Sequence, residues 1–303
     1  MKEEKLFYQF YKAIENCVSL GTDKHSYKKS GCEKVKIFSF EDRRNIIKVT
    51  SLLCDFLEEN YSEIIFIKDI KIKQIQDFFI EKANYCTKST LKNYSYCIRK
   101  LEKMVRQELR ICVDYTSDVK IPKGVLVVLR DIKMEQKDLE ILIDECSSCS
   151  SKARYGIMLS ILFGLRVSEC CKMKGKDIKL DSEYIHVHDS KGKRCRDIKI
   201  ETDEQRKLCE CIKAKVSDEA RICPLREDSV NQEIRRMLSK HKISRYQDRK
   251  TGIHSIRKAY ATEDFKKNLQ QSKDETEAWD NTSEKLGHGS GRKVLKNIYV
   301  KNN

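Results

Sequence analysis

Residues 177–200 read DIKLDSEYIHVHDSKGKRCRDIKI and differ in pattern from the rest of the chain. Apolar and polar residues alternate in DIKL, YIHVHD and RDIKI, which is the period of a β-strand. The sequence SKGK at 190–193 separates the last two segments and contains a glycine suited to a tight turn. These residues predict an antiparallel hairpin, and with the first segment a three-stranded meander, inside a helical domain.

Helical patterns lie on both sides of this meander. Residues 136–146 predict one helix, and residues 151–173 predict a longer helix or a pair of helices. Helices resume near Asp203 and continue to the C-terminus. The chain contains only two prolines, Pro122 and Pro224, so long helices are permitted almost everywhere.

The N-terminal part predicts a separate, all-helical domain. Apolar residues recur at helical spacing after Ser39 and Asp42, which suit an N-cap and a first turn. The segment 113–132 lacks helical period and contains Pro122 and Gly124, so it predicts an inter-domain linker. The predicted organisation is an N-terminal helix and basic loop at 1–37, a helical domain at 38–112, the linker at 113–132, and a second domain at 133–303.

The composition indicates a polyanionic partner. The 303 residues carry 62 lysines and arginines against 47 acidic residues, a formal net charge of +15. Nucleic acid is the first candidate partner and an anionic membrane surface the second, while a protein with many solvated lysines is the plainest alternative. The longest apolar runs are too short to span a membrane, and the charged N-terminus does not resemble a signal peptide.

Fourteen cysteines predict free thiols in a reducing, cytoplasmic environment. Cys146 and Cys149 form one CxxC, and Cys209 and Cys211 form a CxC, but neither has a second pair at the spacing of a zinc finger. His186 and His188 fall within the alternating strand pattern. The sequence therefore predicts no structural metal.

Four segments carry side chains of functional interest: GLRVSE (164–169) on a helix, SKGKRCR (190–196) in the hairpin, HSIRKAYAT (254–262) at the start of a helix, and LGHGSGRKVLKNIYV (286–300). His254 and Arg257 are three residues apart, so they share a helical face. The guanidinium of Arg257 can bind a phosphate through two parallel hydrogen bonds, and Arg166 offers a second guanidinium. Each segment alone is also compatible with a solvated helix surface or turn, and Arg166 with a simple ion pair to Glu169.

In this order and spacing, the segments resemble the tyrosine recombinase (phage integrase) family. The resemblance covers residues 133–300, and residues 38–112 match the family's core-binding domain in size and place. It implies a mainly α fold with a small antiparallel β-meander, in which a helical core-binding domain precedes a mixed α+β catalytic domain. The matching catalytic positions are Arg166, Lys191, His254, Arg257, His288 and the nucleophile Tyr299.

The resemblance implies that a tyrosine hydroxyl attacks a phosphodiester and leaves a 3′-phosphotyrosyl link and a free 5′-hydroxyl. Arg166 and Arg257 would stabilise the transition state, and Lys191 would protonate the leaving oxygen. His254 would assist proton transfer, and His288 would donate to the phosphate. Because the phosphotyrosyl bond conserves energy, no metal and no other cofactor is expected. Glu169 is expected to orient Arg166.

The implied partner is double-stranded DNA carrying attachment sites, bound by a homotetramer in the cytoplasm near the nucleoid. An accessory DNA-bending or directionality protein is a further expected partner, and no membrane partner is expected. Basic stretches supply the predicted DNA contacts: Lys88, Lys92, Arg99, Lys100, Lys120 and Lys123. Residues 1–35 are candidates for arm-type DNA contacts, or for oligomerisation through the face from Leu6 to Ile14.

Two features depart from the family pattern. The eleven residue steps from His288 to Tyr299 make that interval longer than is usual, although no other tyrosine follows His288. Few residues follow Tyr299, so little C-terminal tail is expected for exchange between protomers. Besides integration or excision of a mobile element, the same chemistry serves resolvases and topoisomerase-like enzymes. A DNA-binding regulator without catalysis is a further alternative.

Overall fold

The computed structural model describes residues 5–126, 131–190, 194–248, 251–272 and 274–301. Within this description the chain divides into two compact units, Met1–Val127 and Val128–Asn303. The predicted turn residue Lys191 lies outside the described residues. No described helix is both long enough and apolar enough to cross a lipid bilayer.

The N-terminal unit is a bundle of helices around one apolar core. Its elements are α1 (Leu6–Asn16), α2 (Lys24–Lys29), α3 (Phe40–Asn60), α4 (Ile72–Ala83) and α5 (Lys88–Leu109), with a 3₁₀ turn at Ile67–Asp69. The Ser39 hydroxyl accepts the Asp42 amide at the start of α3, as the N-cap pattern predicted.

This core extends beyond the predicted domain boundaries at both ends. Phe10 and Ile14 of α1 are fully buried in it, so the unit itself covers the face that the sequence offered for oligomerisation. Val113 and Tyr115, predicted as linker, are also buried in it. The Tyr115 hydroxyl donates to the carbonyl of Ile67 at 2.8 Å. Pro122 and Gly124 signal irregular backbone, and irregular backbone can still pack against a core.

The C-terminal unit combines helices with the small sheet. Its elements are α6 (Gln136–Ser148), α7 (Ala153–Phe163), α8 (Val167–Lys172), a 3₁₀ turn at Gly175–Asp177, β1 (Ile178–Lys179), β2 (Tyr184–Ser190), β3 (Arg194–Lys199), α9 (Asp203–Lys215), α10 (Glu227–Lys240), α11 (Arg245–Asp248), α12 (Ile253–Ser272), α13 (Glu275–Lys285) and α14 (Lys293–Tyr299). Helix α12 packs against α7, α13 and α14.

The predicted meander is confirmed. The sheet has the order β1-β2-β3, and both pairs are antiparallel. Ile185 pairs with Ile178 on one side and with Ile198 on the other, and all three are buried. The alternation therefore turns the isoleucines toward the core and turns the polar residues between them outward.

Candidate active site

The sequence predicted a helix for the segment GLRVSE. In the structure this segment instead spans the break between α7 and α8. Gly164 caps the C-terminus of α7 with φ +63°. A β-carbon at this position would lie 2.3 Å from the ring of Tyr260, so both the backbone conformation and the packing require glycine. Arg166 then stands at the N-cap of α8, where its side chain leaves the helix rather than lying along it.

Glu169 fixes Arg166 in place. Its carboxylate accepts the Arg166 backbone N–H at 2.8 Å and the Arg166 Nη1 at 2.7 Å. The side chain of Glu169 is 1% exposed. Burial alone would raise the pKa of Glu169, but the hydrogen bonds and charge of Arg196, with the charge of Arg257, hold it well below its usual range. Glu169 is therefore a buried anion that orients Arg166, as expected from the sequence.

Arg257 is the most enclosed cation of this group. It is 1% exposed and donates from Nη1 to the carbonyl of Gly164 and from Nη2 to the carbonyl of Leu286 at 2.5 Å. Burial, and then the nearby charge of Arg166, lower its pKa to about 10. Its Nε is buried and has no acceptor among the described residues. The guanidinium is thus held rigidly, and one of its buried donors is left without a protein acceptor among the described residues.

His288 lies between the two arginines. Its Nε2 is 3.2 Å from Arg166 Nη2 and 3.4 Å from Arg257 Nη2. Burial, followed by the charges of Arg257 and Arg166, lowers the pKa of His288 to about 3. The imidazole is therefore neutral at neutral pH. A neutral imidazole has one donor and one acceptor nitrogen.

Helix α14 brings Tyr299 to the same place. Its ring centroid is 4.9 Å from that of His288 and 5.5 Å from the guanidinium carbon of Arg257. Tyr299 packs against the small apolar cluster that includes Phe265 and Trp279. The Trp279 indole N–H donates to the carbonyl of Arg292 at 3.1 Å, which fastens the loop before α14 to α13.

The structure thus gathers four of the six predicted catalytic residues. Arg166, Arg257, His288 and Tyr299 are linked by contacts within one site. His254 lies in the first turn of α12, three residues before Arg257, and is exposed. The sixth residue, Lys191, lies outside the described residues.

Arg196 is a member of the site that the sequence analysis did not single out. It makes two parallel bonds to the Glu169 carboxylate, both 3.0 Å long, and donates from Nε to the carbonyl of Lys285 at 2.8 Å. A β-carbon on Gly287, at φ +70°, would lie 2.6 Å from Arg196 Nη1. The glycine of LGH therefore gives Arg196 its space. The signal was present, because strand alternation places Arg196 on the same face as the buried Ile198.

A second set of predicted residues forms a basic stripe on α5 of the N-terminal unit. The predicted residues Lys88, Lys92 and Arg99 are exposed, and so is Lys103, which was not among the predicted contacts. The four recur at spacings of four, seven and four residues, so they share one face. Tyr96, which is 52% exposed, borders the same face. Exposed cations beside an aromatic ring are suited to contact the phosphates and sugars of nucleic acid.

The other three candidates for DNA contact differ from one another. Lys100 is 11% exposed on its side chain and pairs with Asp42 at 2.6 Å, so its charge is already neutralised within the unit. Lys120 and Lys123 are exposed. An isolated bridge between Thr87 and Gly124 brings the segment containing Lys123 to the start of α5, next to the basic stripe.

Part of the C-terminal unit matches a known protein family. Residues 133–273 match the model described as "Phage integrase family". This stretch includes Arg166, Glu169, Arg196 and Arg257, which form the charged centre of the site. Residues 133–273 of this chain are therefore similar to the phage integrase family.

Solved structures with the same fold share little sequence with this chain. The XerH site-specific recombinase bound to a palindromic difH substrate superposes with a TM-score of 0.67 at 15% identity, over 100% of this chain and 94% of that one. A lambda integrase dimer bound to a COC′ core site gives a TM-score of 0.59 at 15% identity, over 91% and 77% of the two chains. The Tn1549 transposon integrase in complex with transposon right end DNA gives 0.58 at 14%, over 99% and 96%. Comparison with curated protein sequences finds no significant match.

Proposed function

We propose that this protein is a site-specific recombinase that cleaves and rejoins duplex DNA through a 3′-phosphotyrosyl intermediate, and that it integrates or excises a mobile element. One observation carries the proposal. Two arginines from different elements meet a neutral histidine and a tyrosine, with Tyr299 5.5 Å from the guanidinium of Arg257. A buried carboxylate holds this cluster together.

The arginines are the groups that would bind the scissile phosphate. As the Tyr299 oxygen attacks phosphorus, negative charge grows on the non-bridging oxygens, and preorganised donors lower the energy of that state. Arg257 cannot turn away, because two of its nitrogens are fixed to backbone carbonyls. Its buried Nε, without an acceptor among the described residues, is the donor that we assign to a phosphate oxygen.

Proton transfer is assigned to the remaining residues. The phenolic proton of Tyr299 leaves as the O–P bond forms, and His254, exposed at the start of α12, would accept it. The 5′-oxygen must gain a proton as its bond to phosphorus breaks, and Lys191 is the proposed donor. His288 remains neutral at neutral pH, so it would act by hydrogen bonding rather than by charge. Rejoining reverses these steps and regenerates the phenol.

DNA contacts are assigned to both units. In the N-terminal unit we assign Lys88, Lys92, Arg99, Lys120 and Lys123, because these side chains are exposed. We remove Lys100 from the set, because Asp42 neutralises it. Other solved structures with this fold include a lambda integrase tetramer bound to a Holliday junction, which supports a tetramer on DNA for this chain as well. An accessory DNA-bending or directionality protein remains part of the proposal.

The test is covalent trapping. The full chain is incubated with supercoiled plasmid carrying the DNA that flanks its own gene, quenched with SDS, and scored for protein attached to nicked DNA. Tyr299→Phe removes only the hydroxyl and should abolish attachment while DNA binding persists. Tyr260→Phe is the matched control. Burial, and then the charge of Asp264, raise the pKa of Tyr260 well above its usual value, so Tyr260 is a poor nucleophile and its loss should leave attachment in place.

Attachment that persists in Tyr299→Phe would refute the assigned nucleophile. Loss in both variants would point to disturbed packing around Gly164 or His288 instead. Absence of attachment with the wild-type chain, on flanking DNA and with salt-sensitive binding intact, would point to a missing accessory protein or to DNA that lacks the site.

Integration and resolution differ in the DNA that is joined. Solved structures with this fold include integrases and a site-specific recombinase bound to a difH substrate, so the fold alone does not choose between the two outcomes. Two plasmids that each carry one mapped site, and one plasmid that carries both, distinguish them. Joining of separate plasmids supports the integrase proposal. Exclusive deletion between repeated sites on one plasmid would replace it with a resolvase.

A further inference from the structure

The outer face of the β2–β3 hairpin carries a cluster that the proposed recombination chemistry does not use. His186 and His188 lie two residues apart on β2, so both point to the same side of the sheet. Their ring centroids are 4.3 Å apart. One donor atom from each histidine and the Sγ of Cys195 all lie within 4.8 Å of one another. No other group of three potential metal ligands occurs in the described parts of the chain.

Strand alternation places Cys195 on this face, two residues before Asp197, and a β-bulge of β2 lies opposite it. Val187 pairs with Arg196 and Ser190 with Arg194, so two residues of β2, His188 and residue 189, stand opposite Cys195 alone. The two strands therefore contribute their ligands at the point where regular pairing is interrupted.

Carboxylates already hold both imidazoles. Asp197 contacts His186 Nδ1, and Asp177 contacts His188 Nε2 at 2.6 Å. Asp177 is 3% exposed, and its other oxygen accepts the backbone N–H of Lys174 at 2.8 Å. A carboxylate on one ring nitrogen fixes the tautomer and leaves the opposite nitrogen as the ligand, which is the usual environment of a metal-binding histidine. The nitrogens that remain as ligands are Nε2 of His186 and Nδ1 of His188.

We propose that His186, His188 and Cys195 bind a zinc ion on the hairpin. Two imidazoles and one thiolate form a donor set that Zn²⁺ favours, with water or an anion at the fourth position. Bond lengths of about 2.1 Å to nitrogen and 2.3 Å to sulfur place tetrahedral donors roughly 3.4–3.6 Å apart. The present separations need to close by about 1 Å, which small rotations of these surface side chains supply. The thiol proton passes to solvent as the sulfur–zinc bond forms.

In the sequence, the alternating strand pattern around His186 and His188 argues against a metal site. In the structure, the same alternation forms the proposed site. Strand period places His186 and His188 side by side, and the partner strand adds Cys195, so no CxxC pair is needed. The ion would tie β2 to β3 across the bulge. The proposal is independent of the recombination reaction, because it concerns side chains that face away from Arg196 and Glu169.

The test uses Co²⁺ as a spectroscopic probe on the metal-free, full-length protein. We expect one Co²⁺ per chain, with d–d bands of tetrahedral intensity and an ultraviolet sulfur-to-cobalt charge-transfer band, and displacement by Zn²⁺. Cys195→Ser should remove the charge-transfer band and His188→Gln should weaken Co²⁺ binding. Asp177→Asn, which replaces the carboxylate in contact with His188, should weaken it by about 10- to 100-fold.

The matched control is Cys112→Ser, which alters another exposed free cysteine in the other unit. It should leave both the spectrum and the affinity unchanged. Circular dichroism of each metal-free variant confirms that the fold is retained. Weak binding of several ions per chain, a charge-transfer band that survives in Cys195→Ser, or an equal loss in Cys112→Ser would each overturn the proposal.

Discussion

The charged cluster around Glu169 and the basic stripe of α5 use the same residue types in opposite ways. In the first, Arg166, Arg196 and Arg257 surround one carboxylate that is 1% exposed. In the second, Lys88, Lys92 and Arg99 are exposed to solvent. Burial makes each charge of the cluster depend on the others, whereas screening keeps the charges of the stripe nearly independent. Substitutions should therefore act cooperatively in the cluster and additively on the stripe.

The largest expected effect is on stability, through Glu169→Ala. This substitution leaves three arginines without their shared buried anion, and breaking a buried ion pair costs about 3–5 kcal/mol of unfolding free energy. Urea unfolding measures it. The contrasting variant is Glu219→Ala, since Glu219 is 69% exposed and solvent screens its pairs with Lys174 and Lys176, so the loss of stability should be much smaller. Equal losses in the two variants would remove the distinction between cluster and surface.

The next effect is on cleavage, through Arg257→Lys. Lysine keeps a positive charge but cannot hold both carbonyl acceptors while presenting a donor to the phosphate. We expect DNA cleavage to fall by about 10²–10³-fold, the effect of losing one preorganised donor. DNA affinity should change little, because the charge remains. Single-turnover cleavage of a nicked DNA substrate measures the rate of cleavage separately from the DNA affinity. The control Arg99→Lys, on the basic stripe, should change neither the cleavage rate nor the affinity.

A smaller effect concerns the salt dependence of DNA binding. Removing one phosphate contact with Lys92→Ala should reduce the slope of log affinity against log salt by about 0.9. In the double variant Lys88→Ala/Lys92→Ala, the two reductions in slope should add. Lys100→Ala is the control on the same helix, because Asp42 already neutralises that charge, and its slope should match that of the wild type. A reduced slope in Lys100→Ala would return this residue to the DNA-contacting set.

The last expected effect is a pH dependence of stability. The pKa of His288 is about 3 in the folded chain and its ordinary value is 6.5, so the unfolded chain binds the extra proton first. The unfolding free energy that depends on a neutral His288 is therefore fully present above pH 6.5. It is progressively lost as the pH falls toward 3, because the unfolded chain takes up a proton that the folded chain does not. The stability difference between the wild type and His288→Gln should therefore shrink over that window in denaturant titrations. A difference that stays constant would mean that His288 titrates alike in both states.

The sequence predicted the residues of the site better than their local structure. Order and spacing of motifs were enough to select Arg166, Arg257, His288 and Tyr299, because those positions are tied to short segments. The sequence did not single out Arg196, because its role depends on which face of β3 turns inward. The pairing of Lys100 was also not visible in the sequence, because its partner Asp42 is 58 residues away along the chain. The burial of Tyr115 likewise depends on packing against a distant 3₁₀ turn, which local sequence does not encode.

Gly164 sets a limit on how freely this protein can be redesigned. Its left-handed backbone ends α7, its carbonyl holds Arg257, and the ring of Tyr260 fills the space that any side chain would need. A library that randomises the stripe of α5 samples many viable variants, because those positions share few neighbours. A library that randomises position 164 should return only glycine. Changes of substrate preference must therefore be sought at other positions, with Gly164 kept unchanged.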